Sequence, residues 1–338
     1  MKALLIALVF TTLLARGAQA GTQINGAGAT FPFPLYSKWF SEFHKLDPSV
    51  EINYQSIGSG GGIRQLLDKT IDFGASDAPM TNDQLAKSPM PVLHIPMVLG
   101  AVAVTYNLPG INQPLRLSGE VIADIYLGKI KTWDEAAITS LNPGVNLPKG
   151  VPILAAYRSD GSGTTAVFTD YLSKVSPEWK QKVGQGTSIQ WPTGLGGKGN
   201  EGVTGVVKQS PGAIGYIELA YAATNQLPAA HVRNKSGGFV SPNTKSVTAA
   251  ANGALKEIPK DFRVSITDSA GKDAYPISSF TYILVYQSMP GAKGVEFSKF
   301  LNWAMDSGQK MAEPLTYAPL PKSMLTQVKA KIKEIDTK

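Results

Sequence analysis

Along the first ninety residues the apolar positions switch between two periods, and the switching predicts an α/β chain. Leu35, Trp39, Phe43 and Leu46 recur at helical spacing behind Pro34, which suits a first helical turn, and Asp47-Pro48 supplies the stop. Val50, Ile52 and Tyr54 then alternate as a strand does. Residues 58–62 read as a turn, 63–70 as helix and 72–75 as a short strand. The same succession of strand, Gly- or Ser-containing turn and amphipathic helix recurs over residues 118–128, 151–157, 164–175 and 213–217. Chains of this kind carry their binding loops at the carboxyl ends of the strands. The apolar runs 92–106 and 280–286 read as two long strands that cross between lobes. On that reading residues 21–104 and 277–338 form a discontinuous first lobe and residues 105–276 the second. Residues 194–202, the densest in glycine, read as one surface loop, and no heptad, solenoid repeat or low-complexity block is present.

The first twenty residues follow a different pattern. Lys2, the apolar run 3–14 and Ala18-Gln19-Ala20 have the order of a secretory signal cleaved near Ala20, and the run is too short for a ~30 Å hydrocarbon core. No later stretch approaches ~18 consecutive apolar residues, so a soluble exported protein is expected. Cysteine is absent, which removes disulfides, thiol nucleophiles and a lipid-bearing cysteine, and makes a bacterial periplasm the expected compartment. With 338 residues the chain exceeds what one core usually organises, so two domains are expected. The formal charge of +7 is scattered rather than gathered into a basic run with aromatics, which argues against nucleic acid and suits a handler of small anions.

Three turns rich in glycine and hydroxyls share a composition that a fully ionised oxyanion explains, because such a ligand needs short donors and unobstructed backbone N–H groups. In Gly26-Ala27-Gly28-Ala29-Thr30-Phe31-Pro32, the Thr30 hydroxyl and the N–H groups of Thr30 and Phe31 would face a ligand from a helix start; the alternative is that Thr30 caps the helix. In Gly58-Ser59-Gly60-Gly61-Gly62, glycines able to take positive φ surround Ser59 as a further donor. In Arg158-Ser159-Asp160-Gly161-Ser162-Gly163-Thr164-Thr165, Arg158 adds charge, Ser162, Thr164 and the Gly163 N–H add donors, and Asp160 is spaced to hold the Arg158 fork.

Asp77, in Phe73-Gly74-Ala75-Ser76-Asp77-Ala78-Pro79, carries the selectivity argument. A carboxylate in an anion site repels its ligand unless that ligand brings a proton. Phosphate does so near neutral pH and sulfate does not, so Asp77 would accept one P–O–H hydrogen bond worth about 1.5–3 kcal/mol. The alternative for Asp77 is an ordinary turn carboxylate ahead of Pro79.

These segments, with Asp124-Ile-Tyr-Leu-Gly-Lys-Ile-Lys-Thr-Trp and Pro211-Gly-Ala-Ile-Gly-Tyr, match in order and spacing the periplasmic phosphate-binding proteins of the Pst-type ABC importer, and the chain resembles that family over nearly its whole exported length. The resemblance implies a type II periplasmic-binding fold of two lobes around a ligand cleft, joined by two hinge crossings. It implies Ala29, Thr30, Phe31, Ser59, Asp77, Arg158, Ser162, Gly163 and Thr164 as the phosphate ligands. It also implies closure about a hinge, delivery to the permease and ATPase subunits of the importer, and a monomer without cofactor, metal or catalysis. Gly60 departs from family members that carry a second serine there.

Other readings are weaker. Gly161-x-Gly163-x-x-Ala166 fits a dinucleotide pattern, but no second strand ending in an acidic residue is evident after it. An exported phosphate-ester hydrolase would want clustered metal ligands or an activated nucleophile, whereas His44, His94 and His231 are far apart and no P-loop lysine motif occurs. A binder of another tetrahedral oxyanion stays open, with Asp77 as the discriminating residue.

Overall fold

The computed structural model describes residues 21–111 and 113–338. The expected export signal, with cleavage near Ala20, lies outside the described residues. β1 (Thr22–Gly28) leads to α1 (Phe33–Leu46), β2 (Val50–Ser56), α2 (Ser59–Leu67), β3 (Phe73–Ser76), α3 (Asn82–Ala86) and β4 (Val92–Tyr106). After β5 (Arg116–Leu117), α4 (Gly119–Tyr126) and α5 (Ala136–Thr139), the succession resumes with β6 (Leu154–Arg158), α6 (Gly163–Val175), α7 (Pro177–Lys182), β7 (Leu195–Gly197), α8 (Gly199–Gln209) and β8 (Ala213–Glu218). Then come α9 (Leu219–Thr224), β9 (His231–Arg233), β10 (Phe239–Val240), α10 (Thr244–Ala254), β11 (Ser278–Tyr286), α11 (Ala292–Asp306) and α12 (Lys322–Ile332).

Eight strands form one sheet in the order β2-β1-β3-β11-β4-β8-β6-β7, and β10-β9-β5 form a small second sheet. β1 pairs in parallel with β2 and β3, and β6 in parallel with β7 and β8. β4 joins the two parallel groups. Its residues 92–101 lie antiparallel to β11 and its residues 102–106 antiparallel to β8, so a single strand changes partner between Ala101 and Val102. Every residue of β4 after Val92 is buried, as a near-continuous apolar run covered on both faces should be. The run 92–106 is therefore the strand it was expected to be; the run 280–286 is extended backward to Ser278.

One irregularity interrupts the pairing of β4 with β11 beside Thr281. The partner of Thr281 is Val98 but that of Tyr282 is Pro96, leaving Met97 unpaired. Proline cannot donate to the ladder, and a bulge beside it is the usual accommodation.

Packing follows from aromatic side chains on both halves of the sheet. α1 buries Leu35, Tyr36, Trp39, Phe40 and Phe43, and the Trp39 indole donates to Gly308 O at 2.8 Å. Phe73 stacks on Phe297 at 4.6 Å between centroids, and Phe168 on Tyr216 at 4.2 Å. Each such ring removes enough apolar surface from water to contribute on the order of 2 kcal/mol, so each half is anchored by its own aromatic group.

Two readings of the sequence are corrected. Residues 58–62 are not a free turn: Gly58 alone takes positive φ (87°), and Ser59 through Gly62 are the first turn of α2. Residues 194–202 are not one surface loop, because β7 and the start of α8 occupy them and Asn200 is fully buried. Glycine density there reflects close packing, since a Cβ on Gly197 would lie 2.5 Å from backbone atoms of Gly202 and Val203.

Candidate functional site

The turn after β1 is shaped by Gly28, whose φ of 146° and 2.1 Å virtual Cβ contact with Ala75 O admit glycine alone. Ala29 then donates its N–H to Ala75 O at 2.9 Å and accepts the Tyr54 hydroxyl at 2.8 Å, so both its backbone polar atoms are engaged within the protein. Thr30 does not cap α1, which starts behind Pro32 with no side-chain cap. The carbonyls of Thr30 and Phe31 accept the hydroxyls of Tyr221 and Tyr317, each at 2.6 Å. Their N–H groups donate to no protein acceptor among the described residues.

Ser59 opens α2 and Ser162 stands at the N-cap of α6, so two helix starts approach one spot from separate halves of the sheet. Ser162 Oγ accepts the Thr165 N–H at 3.0 Å. The N–H groups of Ser59, Gly163 and Thr164 have no protein acceptor among the described residues, as first-turn amides of a helix require partners from outside it. The approach is close. Gly60 N donates to Gly161 O at 2.9 Å, and a Cβ on Gly163 would sit 2.4 Å from Ser59 Oγ and 2.6 Å from Asp77 Oδ2.

Asp77 follows β3 and is 1% exposed. Its Oδ1 accepts the Thr281 hydroxyl at 2.9 Å, its Oδ2 lies 3.4 Å from Ser59 Oγ, and its N–H donates to Ser59 Oγ at 3.3 Å. Burial pushes its pKa from 3.8 to about 7, with the Thr281 hydroxyl, Arg158 and Ser59 opposing the rise. This is no turn carboxylate.

Arg158 ends β6, 3% exposed, and forks onto Asp160 through Nε (2.7 Å) and Nη2 (2.5 Å) as the spacing suggested. Its Nη1 reaches Thr164 Oγ1 at 3.4 Å. Burial works against the Asp160 charge, but Arg158 and the Gly199 N–H outweigh it and hold that carboxyl below its ordinary range. With Arg158 paired to Asp160 the two side chains add no net positive charge, and hydrogen bonds and helix starts are what the spot offers an anion.

The structure thus gathers Thr30, Phe31, Ser59, Asp77, Arg158, Ser162, Gly163 and Thr164, with Ala29 as a small buried wall. Two further residues belong beside them. Thr281 holds Asp77, and the cue was the one small polar side chain inside the otherwise aliphatic and aromatic run 280–286. Asn200 bridges Thr30 and Thr164, and its glycine-dense setting concealed it. A cavity of about 420 Å³, lined from both sides by residues including Ile63, Asp77, Ser279, Val167 and Thr187, lies next to Asp77. His44, His94 and His231 stay apart: His94 is buried, its Nε2 accepts the Met80 N–H at 3.0 Å, and burial pushes its pKa down to about 4. No group of three or more metal-ligating side chains is assembled among the described residues.

A sheet in two halves that share one long strand, with helix starts from both converging on a buried, donor-rich spot, defines a two-lobed solute-binding protein. The family described as PBP superfamily domain matches residues 15–307. The phosphate-binding protein PstS of Pasteurella multocida is 47% identical over 337 residues, 98% of this chain and 95% of that one. PstS of Haemophilus influenzae is 43% identical over 94% of each. A solved high-affinity periplasmic phosphate-binding protein (PfluDING) bound with phosphate has the same fold at a TM-score of 0.73 and 22% identity, covering 91% of this chain and 93% of that one. The chain belongs to the PstS family of phosphate-binding proteins.

Proposed function

We propose that the protein captures inorganic phosphate between its lobes as the monohydrogen anion and delivers it to the permease and ATPase subunits of a phosphate ABC importer. It acts in the periplasm as a monomer, after cleavage near Ala20, and catalyses no reaction. The names of its relatives support the ligand, and no helix among the described residues is long and apolar enough to cross a membrane. The lobes are residues 21–104 with 277–338 and residues 105–276; the change of partner along β4, and the Val102 N–H bond to Ile277 O at 2.8 Å, support crossings at these places.

Thr30, Phe31, Ser59, Arg158, Ser162, Gly163 and Thr164 donate to the anion, Ala29 bounds it, and Asp77 accepts its proton. The observation that carries the reading is Asp77, a buried carboxylate set among backbone N–H groups that have no protein acceptor among the described residues. Calorimetry at about pH 8 is expected to show one phosphate per chain and sulfate weaker by at least ~100-fold, since rejecting it rests on about 3 kcal/mol of charge repulsion and a missing donor. Equal affinity for the two anions would end the proposal, and a chromogenic phosphate ester should be left intact.

A further inference from the structure

Asn200 is fully buried at the start of α8, and every polar atom of its side chain is engaged. Its Oδ1 accepts the Glu218 N–H at 2.9 Å. A backbone N–H can only donate, so this bond identifies the oxygen and places Nδ2 on the opposite side. There Nδ2 donates one hydrogen to Thr30 Oγ1 at 2.6 Å and the other to Thr164 Oγ1 at 3.3 Å. The Asn200 backbone N–H donates to Thr30 Oγ1 as well, at 3.2 Å, and Arg158 Nη1 donates to Thr164 Oγ1 at 3.4 Å.

A hydroxyl has one hydrogen to give and two lone pairs to receive with. Thr30 Oγ1 receives from both Asn200 nitrogens, and Thr164 Oγ1 from Asn200 and Arg158. Each hydroxyl therefore has its acceptor capacity filled and only its own hydrogen left. We infer that Asn200 sets the polarity of this part of the site: it turns the Thr30 and Thr164 hydroxyls into obligate donors, so that a ligand proton finds an acceptor at Asp77 and at neither threonine. Ligand protonation state, and not anion size alone, is then written by a residue that need not touch the ligand.

The inference rests on the phosphate reading above and deepens it. In Asn200→Asp the side chain keeps its shape but loses the two amide hydrogens, so both threonine hydroxyls turn to donate toward position 200 and offer lone pairs to the ligand. The site then favours dihydrogen over monohydrogen phosphate. In Asn200→Ala the hydroxyls are released without being reversed, and the same tilt is smaller.

The experiment is calorimetry of inorganic phosphate binding to the full exported chain at several pH values between about 6 and 8, for the wild type, Asn200→Ala and Asn200→Asp, with thermal melts to confirm folding. Wild-type affinity is expected not to fall as pH rises. Asn200→Asp should bind more weakly at about pH 8 than at about pH 6 by roughly tenfold, following the dihydrogen fraction of the ligand, and Asn200→Ala by a smaller factor in the same direction. Folded variants that keep the wild-type pH profile, whether at full or reduced affinity, overturn the inference, because a purely structural role weakens binding without tilting it. If Asn200→Asp does not fold, the Asn200→Ala profile decides alone. A wild type that fails to bind phosphate overturns the reading beneath it instead.

Discussion

Asp77 is where local chemistry and stability meet. Its pKa is raised from 3.8 to about 7, so the folded protein retains a proton that the unfolded chain has released between those values. Folded stability from this group is complete below about pH 4, declines as pH rises, and is fully lost above about pH 7. Without phosphate, Asp77→Asn should gain on the wild type across that window by on the order of 3 kcal/mol, read by denaturant titration at pH 4 and pH 8; a constant difference would contradict the buried-carboxyl account. The same variant should bind sulfate more tightly and phosphate less tightly than the wild type, measured by competition. Arg158 makes a second case. Lysine cannot reproduce the fork onto Asp160 and also reach Thr164, so Arg158→Lys should weaken phosphate binding by about 1.5–3 kcal/mol, roughly ten- to a hundredfold in Kd.

Among the elements, the start of α6 decides how near the two halves come. Gly163 has ordinary helical backbone, and what forbids a side chain there is Ser59 and Asp77 opposite it. Gly163→Ala should therefore melt close to the wild type without phosphate but lose phosphate affinity by at least ~30-fold, because the added methyl obstructs approach rather than folding. Loss of melting temperature in step with affinity would place the defect in α6 itself. A different tie lies at the rim, where Arg263 Nη1 donates to Asn82 Oδ1 at 2.8 Å and to Met80 O at 3.4 Å. On the proposed lobe bounds this bond spans the cleft. Arg263→Ala should speed phosphate release in stopped-flow fluorescence while leaving the association rate within about threefold.

At the scale of the whole molecule, the described conformation has helix starts of both halves in direct contact, Gly60 N on Gly161 O at 2.9 Å and Asn200 on Thr30. Those bonds form only when the halves meet, and the N–H groups of Thr30, Phe31, Ser59, Gly163 and Thr164 beside them have no protein acceptor among the described residues. Phosphate is therefore expected to shift the population toward this closed arrangement, read as a smaller radius of gyration by small-angle scattering; an unchanged radius would count against hinge closure.

The α/β succession, the buried strand 92–106 and the donor-rich composition of the segments around Thr30, Ser59 and Ser162 were legible, though not the helical start at Ser59, because period, glycine and hydroxyl content act locally, within a few residues of where they stand. Arg158 with Asp160 was legible for the same reason, being two residues apart. Asn200 and Thr281 were not, since each owes its role to partners distant in sequence: Thr30 lies 170 residues from Asn200, and Asp77 lies 204 from Thr281. The chain on its own determined which segments are dense in glycine and short hydroxyl donors. Whether those segments face one point, how far burial lifts the Asp77 pKa, and which way the Thr30 and Thr164 hydroxyls must point were settled by tertiary packing, because desolvation and hydrogen-bond direction depend on neighbours that only the folded chain supplies.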